Sequence, residues 1–214
     1  MHWHGCQVQH YRPYLPTQAM SQGISQAALV AEPAHVPVLL PEQAAKGVNA
    51  VYEEFYRRMS FPSPPNFIMT QGHSSTVVRG TWEVVKNVLV TGDLPRWQKE
   101  MMFVAISKDR NCHYFTAAHI ACCRMLGVKT DLIDCLVRNV DDLSNPKLRA
   151  MIKFSLKCSR NPQTVTKDDH DSLRQEGLTQ SEIIEVIAMS AFAVYANIIA
   201  DATAMEPDQM FDTV

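Results

Sequence analysis

Apolar positions recur at spacings of three and four from Pro41 onward: Val48, Val51, Phe55 and Met59 form the first such stripe. That period is the mark of an amphipathic helix. With Pro41 suited to a first turn and "SFPSPPN" closing the segment, a helix is predicted over 42–59. A second runs over 66–90, stopped by "TGDLP", and a third over 95–108. The fourth starts near Asn111, read as its N-cap, and ends at Gly127. Shorter helices follow over 130–138, 146–159 and 167–176. Thr179 stands three residues before Glu182, a capping box for a last helix reaching about Met205. No stretch of useful length alternates with period two, so the expected fold is all-α. The last helix is apolar nearly all round, which suits a buried central helix or one packed on another subunit. Glu182, Glu185, Asn197 and Asp201 lie within or beside it and argue against a membrane span. Residues 1–40 carry Pro13, Pro16, Pro33 and Pro37 with little periodicity and read as an irregular arm, leaving 41–214 as a single all-α domain.

A chain of 214 residues with 46% hydrophobic content can bury a core without staples. Its net charge is -2 and it has no Lys/Arg block, so a nucleic-acid partner is not expected. The six cysteines (Cys6, Cys112, Cys122, Cys123, Cys135, Cys158) show no zinc spacing, which favours a reducing, cytoplasmic setting. The N-terminal stretch lacks the pattern of a signal peptide, and Met20 is an alternative start. His2, His4, Cys6 and His10 could gather a metal, but mixed ligands without a frame read as incidental, and no metal or cofactor is called for.

Within the fourth helix, Phe115, Thr116, His119 and Cys123 fall within roughly 60° of Cys112, so one stripe carries two thiols, a hydroxyl and an imidazole. A cysteine at a helix start meets unpaired N–H groups that favour its thiolate, so Cys112 is expected to have a lowered pKa and to alkylate before the other thiols. The plainer reading is core packing: a small buried Cys112, a hydrogen-bonded core His119 and a solvated Glu100. Glu100 gains chemical meaning only if the third and fourth helices form a hairpin that brings it against His119.

Glu100, Cys112 and His119, set inside "LPRWQKEMMFVAISKDRNCHYFTAAH", resemble the signature of the alkylhydroperoxidase D and carboxymuconolactone decarboxylase superfamily, peroxidase-related branch. The resemblance extends outward over about residues 40–210, through "PPNFIMTQGHSSTVVRGTWEVVKNVLVTG" and the segment from Asn145 to Asp208. It implies an all-α fold assembling as dimers, trimers or hexamers. It also implies peroxide reduction by a Cys-x-x-Cys pair, served by a Glu and His proton relay. Here Phe115 occupies the second Cys position and Tyr114 replaces a His inside the pair. Cys112 is about 10 Å from His119 along a helix axis, and Cys123 about 16 Å from Cys112, beyond disulfide reach.

Three readings follow from the resemblance. The first is a one-cysteine protein reducing or sensing peroxides, with Cys112 as nucleophile, His119 and Glu100 as relay, and the Tyr114 or Thr116 hydroxyl bridging the gap. An external thiol reductant would then complete the cycle. The second is decarboxylase-like acid–base chemistry on an organic acid. The third is a non-catalytic oligomeric binding protein with Phe115 and Thr116 lining the old pocket.

Overall fold

The computed structural model describes residues 34–211. The arm reading for residues 1–33, with His2, His4, Cys6 and His10, lies outside the described residues. Nine α-helices and a π-helix, with no strand among the described residues, make the fold all-α. They are α1 Lys46–Met59, α2 Asn66–Gln71, α3 Ser75–Val84, α4 Arg96–Asp109, α5 His113–Met125, α6 Thr130–Arg138, α7 Pro146–Arg160, α8 Lys167–Gln175 and α9 Gln180–Ala202. The helix expected over 66–90 is three pieces, because a turn at Gly72–Ser74 separates α2 from α3 and Val85–Val90 is wound as a π-helix. Ser74 caps α3 by accepting from the Val77 N–H, Asn145 caps α7 from the Leu148 N–H, and Thr179 with Glu182 forms the expected capping box.

Helix α4 takes the centre. Every residue from Lys99 to Ser107 is buried, and the helix packs against α5, α7 and α9. Helix α9 is not the central one: Ile184, Tyr195 and Ile198 are exposed, while Ile183, Val186, Met189 and Ala193 face the core. By length and composition α9 could cross a membrane, but 50% of its apolar window is buried inside the protein, as in a core helix.

The turn between α4 and α5 fixes the site. Asn111 does not cap α5; it adopts the left-handed conformation at φ 58, which asparagine tolerates. Its N–H bonds to the Lys108 carbonyl and that of Cys112 to the Ser107 carbonyl, the paired bonds of a Schellman motif that ends α4. Cys112 is instead the N-cap of α5, its carbonyl accepting from the Thr116 N–H at 3.1 Å. Two residues of turn thus fold α5 back on α4.

A second knot fixes the π-helix end. The buried Lys99 donates to the carbonyls of Val88 (2.9 Å) and Thr91 (2.5 Å) and pairs with Glu185 at 2.7 Å. Glu185 in turn accepts from the N–H groups of Asp93 and Leu94. Orphan carbonyls and amides near the break are thereby satisfied by one ion pair from α4 and α9.

Candidate active site at the α4–α5 hairpin

The hairpin brings Glu100 of α4 against His119 of α5. The carboxylate Oε2 lies 2.5 Å from His119 Nδ1, and Oε1 accepts from Arg96 Nε at 2.9 Å. Arg96 reaches Glu100 from one turn earlier on the same helix. Glu100 is fully buried. Burial pushes its pKa up, but His119 and Arg96 outweigh burial and hold the carboxyl below its ordinary range. The imidazole is held flat by Phe103, whose ring stacks on it at 3.6 Å between centroids. With Nδ1 committed to Glu100, Nε2 makes no hydrogen bond among the described residues. An imidazole oriented by a carboxylate, with its other nitrogen open, is suited to accept and return a proton.

His119 forms part of the wall of a cavity of about 40 Å³. Seven phenylalanines line it (Phe55, Phe61, Phe67, Phe103, Phe115, Phe192, Phe211), with Met59, Val85, Leu89 and Ala118, and its polar residues are Tyr114, His119 and Cys122. The cavity would hold water-sized molecules and is well below the roughly 150 Å³ that accommodates benzene. Phe115, at the second position of the Cys-x-x-Cys pattern, packs edge-on against Phe67 at 4.9 Å and helps close this space.

Cys112 is absent from the cavity wall. It is fully buried, and burial pushes its thiol up to about 12; the Phe115 backbone N–H pulls the other way, and Asp201 adds to the rise. The helix-start effect exists but loses to desolvation, so the expectation of a lowered pKa fails for the folded protein. Neither hydroxyl bridges Cys112 to His119. Tyr114 donates to Asp208 Oδ2 at 2.6 Å and accepts from the Phe67 N–H at 3.1 Å, while Thr116 donates to the Cys112 carbonyl at 2.8 Å.

The thiol that shares the cavity with His119 is Cys122. One ligating atom each from Glu100, His119 and Cys122 lies within 4.8 Å of the others. Burial pushes the Cys122 thiol well above its ordinary pKa, and the Glu100 charge adds to this. A metal ion could bridge such a trio, but both Glu100 oxygens are already bonded and the Arg96 guanidinium opposes a cation there. The donor set therefore fits a proton relay beside a thiol better than a metal centre. Cys122 escaped the sequence stripe because that stripe was centred on Cys112; centred on His119, three residues away, it would have included Cys122. Arg96 was visible at the i−4 position of Glu100, whereas Asp208 and Phe211, far off in the chain, carried no local signal.

No family model and no curated protein matches the chain. Solved structures do. An uncharacterized peroxidase-related protein from Ralstonia eutropha JMP134, described as an alkylhydroperoxidase AhpD core, is similar with a TM-score of 0.76 and 26% identity over 83% of this chain and 94% of that one. A peroxidase-related protein from Silicibacter sp. TM1040 gives 0.75 at 22% identity, over 89% and 98% of the two chains. A cysteine-to-alanine variant of the debrominase Bmp8, in complex with 2,3,4-tribromopyrrole, gives 0.73 at 17% identity, over 85% and 96%. From the helix order, the α4–α5 hairpin and these likenesses, the chain has the all-α alkylhydroperoxidase D-like fold.

Proposed function

We propose that this chain reduces or senses small peroxides through one thiol, that of Cys122, with His119 as the proton-transfer group and Glu100 as the carboxylate that orients it. One observation carries the reading: Cys122 and the Glu100-bonded His119 line the same cavity, and Cys112 does not. The Cys122 sulfur attacks one peroxide oxygen and the O–O bond breaks. The thiol proton passes to the imidazole and from there to the departing oxygen, leaving an alcohol or water and a sulfenic acid on Cys122. Two equivalents of an external small thiol then restore Cys122, releasing water and a disulfide. A base in the site lets a thiol that is neutral at rest lose its proton only as the peroxide reacts.

Tyr114 and Cys112 serve this reading as supports of α5 rather than reacting groups. The decarboxylase-like reading is disfavoured by the cavity, where an organic acid would bring a second carboxylate beside Glu100 among aromatic rings. Non-catalytic binding is the second reading, favoured by the raised Cys122 pKa. The reading includes a homo-oligomer, a dimer, trimer or hexamer, joined through the exposed Ile184, Tyr195 and Ile198 of α9. It also includes a single domain over 41–214 and a cytoplasmic setting, in keeping with the five described cysteines, which are all free thiols.

Brief peroxide exposure followed by a sulfenic-acid probe and peptide mass analysis tests it. Label on Cys122, lost in His119→Ala, is the expected result. A folded protein labelled only on other thiols contradicts the assignment, and one with no label at all favours the binding reading.

A further inference from the structure

Between Ala204 and Phe211 the chain leaves α9 and packs against the starts of α2 and α5, and its single buried residue is an aspartate, Asp208. Asp208 Oδ2 accepts from the Tyr114 hydroxyl at 2.6 Å, and Oδ1 from the Asn66 N–H at 2.9 Å. Asn66 Nδ2 donates to the Glu206 carbonyl at 3.0 Å. Beyond this anchor a 3₁₀ turn, Gln209–Phe211, delivers the half-buried Phe211 ring to the cavity wall, edge-on to Phe61 at 5.5 Å. The segment thus carries one polar anchor and one aromatic ring, with Met205 and Met210 half-buried against the core on either side of Asp208.

Resting on the thiol reading of this cavity, we infer that the strap Met205–Phe211 is the gate of the site, latched by Asp208 to Tyr114 and Asn66, and that Phe211 determines which molecules reach Cys122 and His119. With Phe211 in place the cavity has room for hydrogen peroxide and not for a benzene-sized ring. Phe211 is one of three wall residues outside the helices α1–α9 and the π-helix, the others being Phe61 and Pro65 in the loop between α1 and α2. Withdrawing it enlarges the space at the cost of its contacts with Phe61 and the edge of the core. The open site then takes a small apolar molecule bearing one aromatic ring, an aryl hydroperoxide being the substrate class that suits both the ring-lined wall and the thiol. Such a protein discriminates by strap opening, and its apparent affinity for ring-sized ligands is reduced by the fraction of time the strap is shut.

Fluorobenzene, followed by fluorine NMR on the full chain, probes the gate without any chemistry. Phe211→Ala and the milder Asp208→Asn should each raise fluorobenzene affinity or exchange rate, the former by about tenfold or more if the strap is mostly closed. The rate with cumene hydroperoxide should rise relative to hydrogen peroxide in the same variants. Fluorobenzene binding unchanged in both variants, with the helical circular dichroism intact, overturns the gate. A changed fluorobenzene response with no peroxide consumption by any variant supports the gate and overturns the thiol reading instead.

Discussion

His119 divides its two nitrogens between structure and chemistry. Nδ1 is fixed on Glu100 at 2.5 Å and Nε2 makes no hydrogen bond among the described residues, while Phe103 holds the ring plane. The arrangement stands or falls with Glu100, which is buried beside both Arg96 and His119. Glu100→Gln keeps the shape and removes the charge, leaving a half-buried guanidinium and a buried imidazole without their partner. It should destabilise the protein by about 3–5 kcal/mol, measured by urea unfolding at neutral pH. The sign with pH follows from the lowered Glu100 pKa. Its contribution is present above the unfolded value of about 4.3 and is lost as pH falls through the folded value, so parent and variant should converge in acid. Part of this arrangement is legible in the sequence: the apolar period places Glu100 and His119 on consecutive helices, and the family resemblance is what pairs them. The choice between thiols was not, because a helix start and burial act on Cys112 in opposite directions, and burial is a property of the packed fold rather than of the local sequence.

The π-helix and the strap show why element boundaries were only partly readable. Apolar spacing carries straight through 66–90, yet the chain breaks at Gly72–Ser74 and rewinds at Val85, which turns Val85 and Leu89 into the cavity wall. The cause is tertiary: Lys99 and Glu185 claim the backbone groups at the π-helix end. By contrast, α6 falls where its apolar period and α9 begins where its capping box placed it. Gly92 lets the Lys99–Glu185 knot close. Its φ is +114, and an added Cβ would stand 2.6 Å from both carboxylate oxygens of Glu185. Gly92→Ala should therefore cost about 2–4 kcal/mol in chemical denaturation, from backbone strain and displaced hydrogen bonds. A cost below about 0.5 kcal/mol would show that the knot does not hold this end of the site.

Across the whole molecule, a buried α4 carries Glu100, α5 carries His119 and the cavity thiol Cys122, and Phe211 beyond α9 completes the cavity wall. The fold class was readable from period alone, since a chain with long 3.6-residue stripes and no alternation has few ways to bury its apolar faces other than helix on helix. Which thiol faces the cavity depended on how two helices fold back around Asn111, and only the assembled molecule fixes that. Peroxide consumption by Cys122→Ser and Cys112→Ser compared side by side, with an external thiol as reductant, decides which of the two thiols carries the chemistry. Cys122→Ser should lose consumption while a folded Cys112→Ser keeps most of it; loss in Cys112→Ser alone would return the chemistry to Cys112.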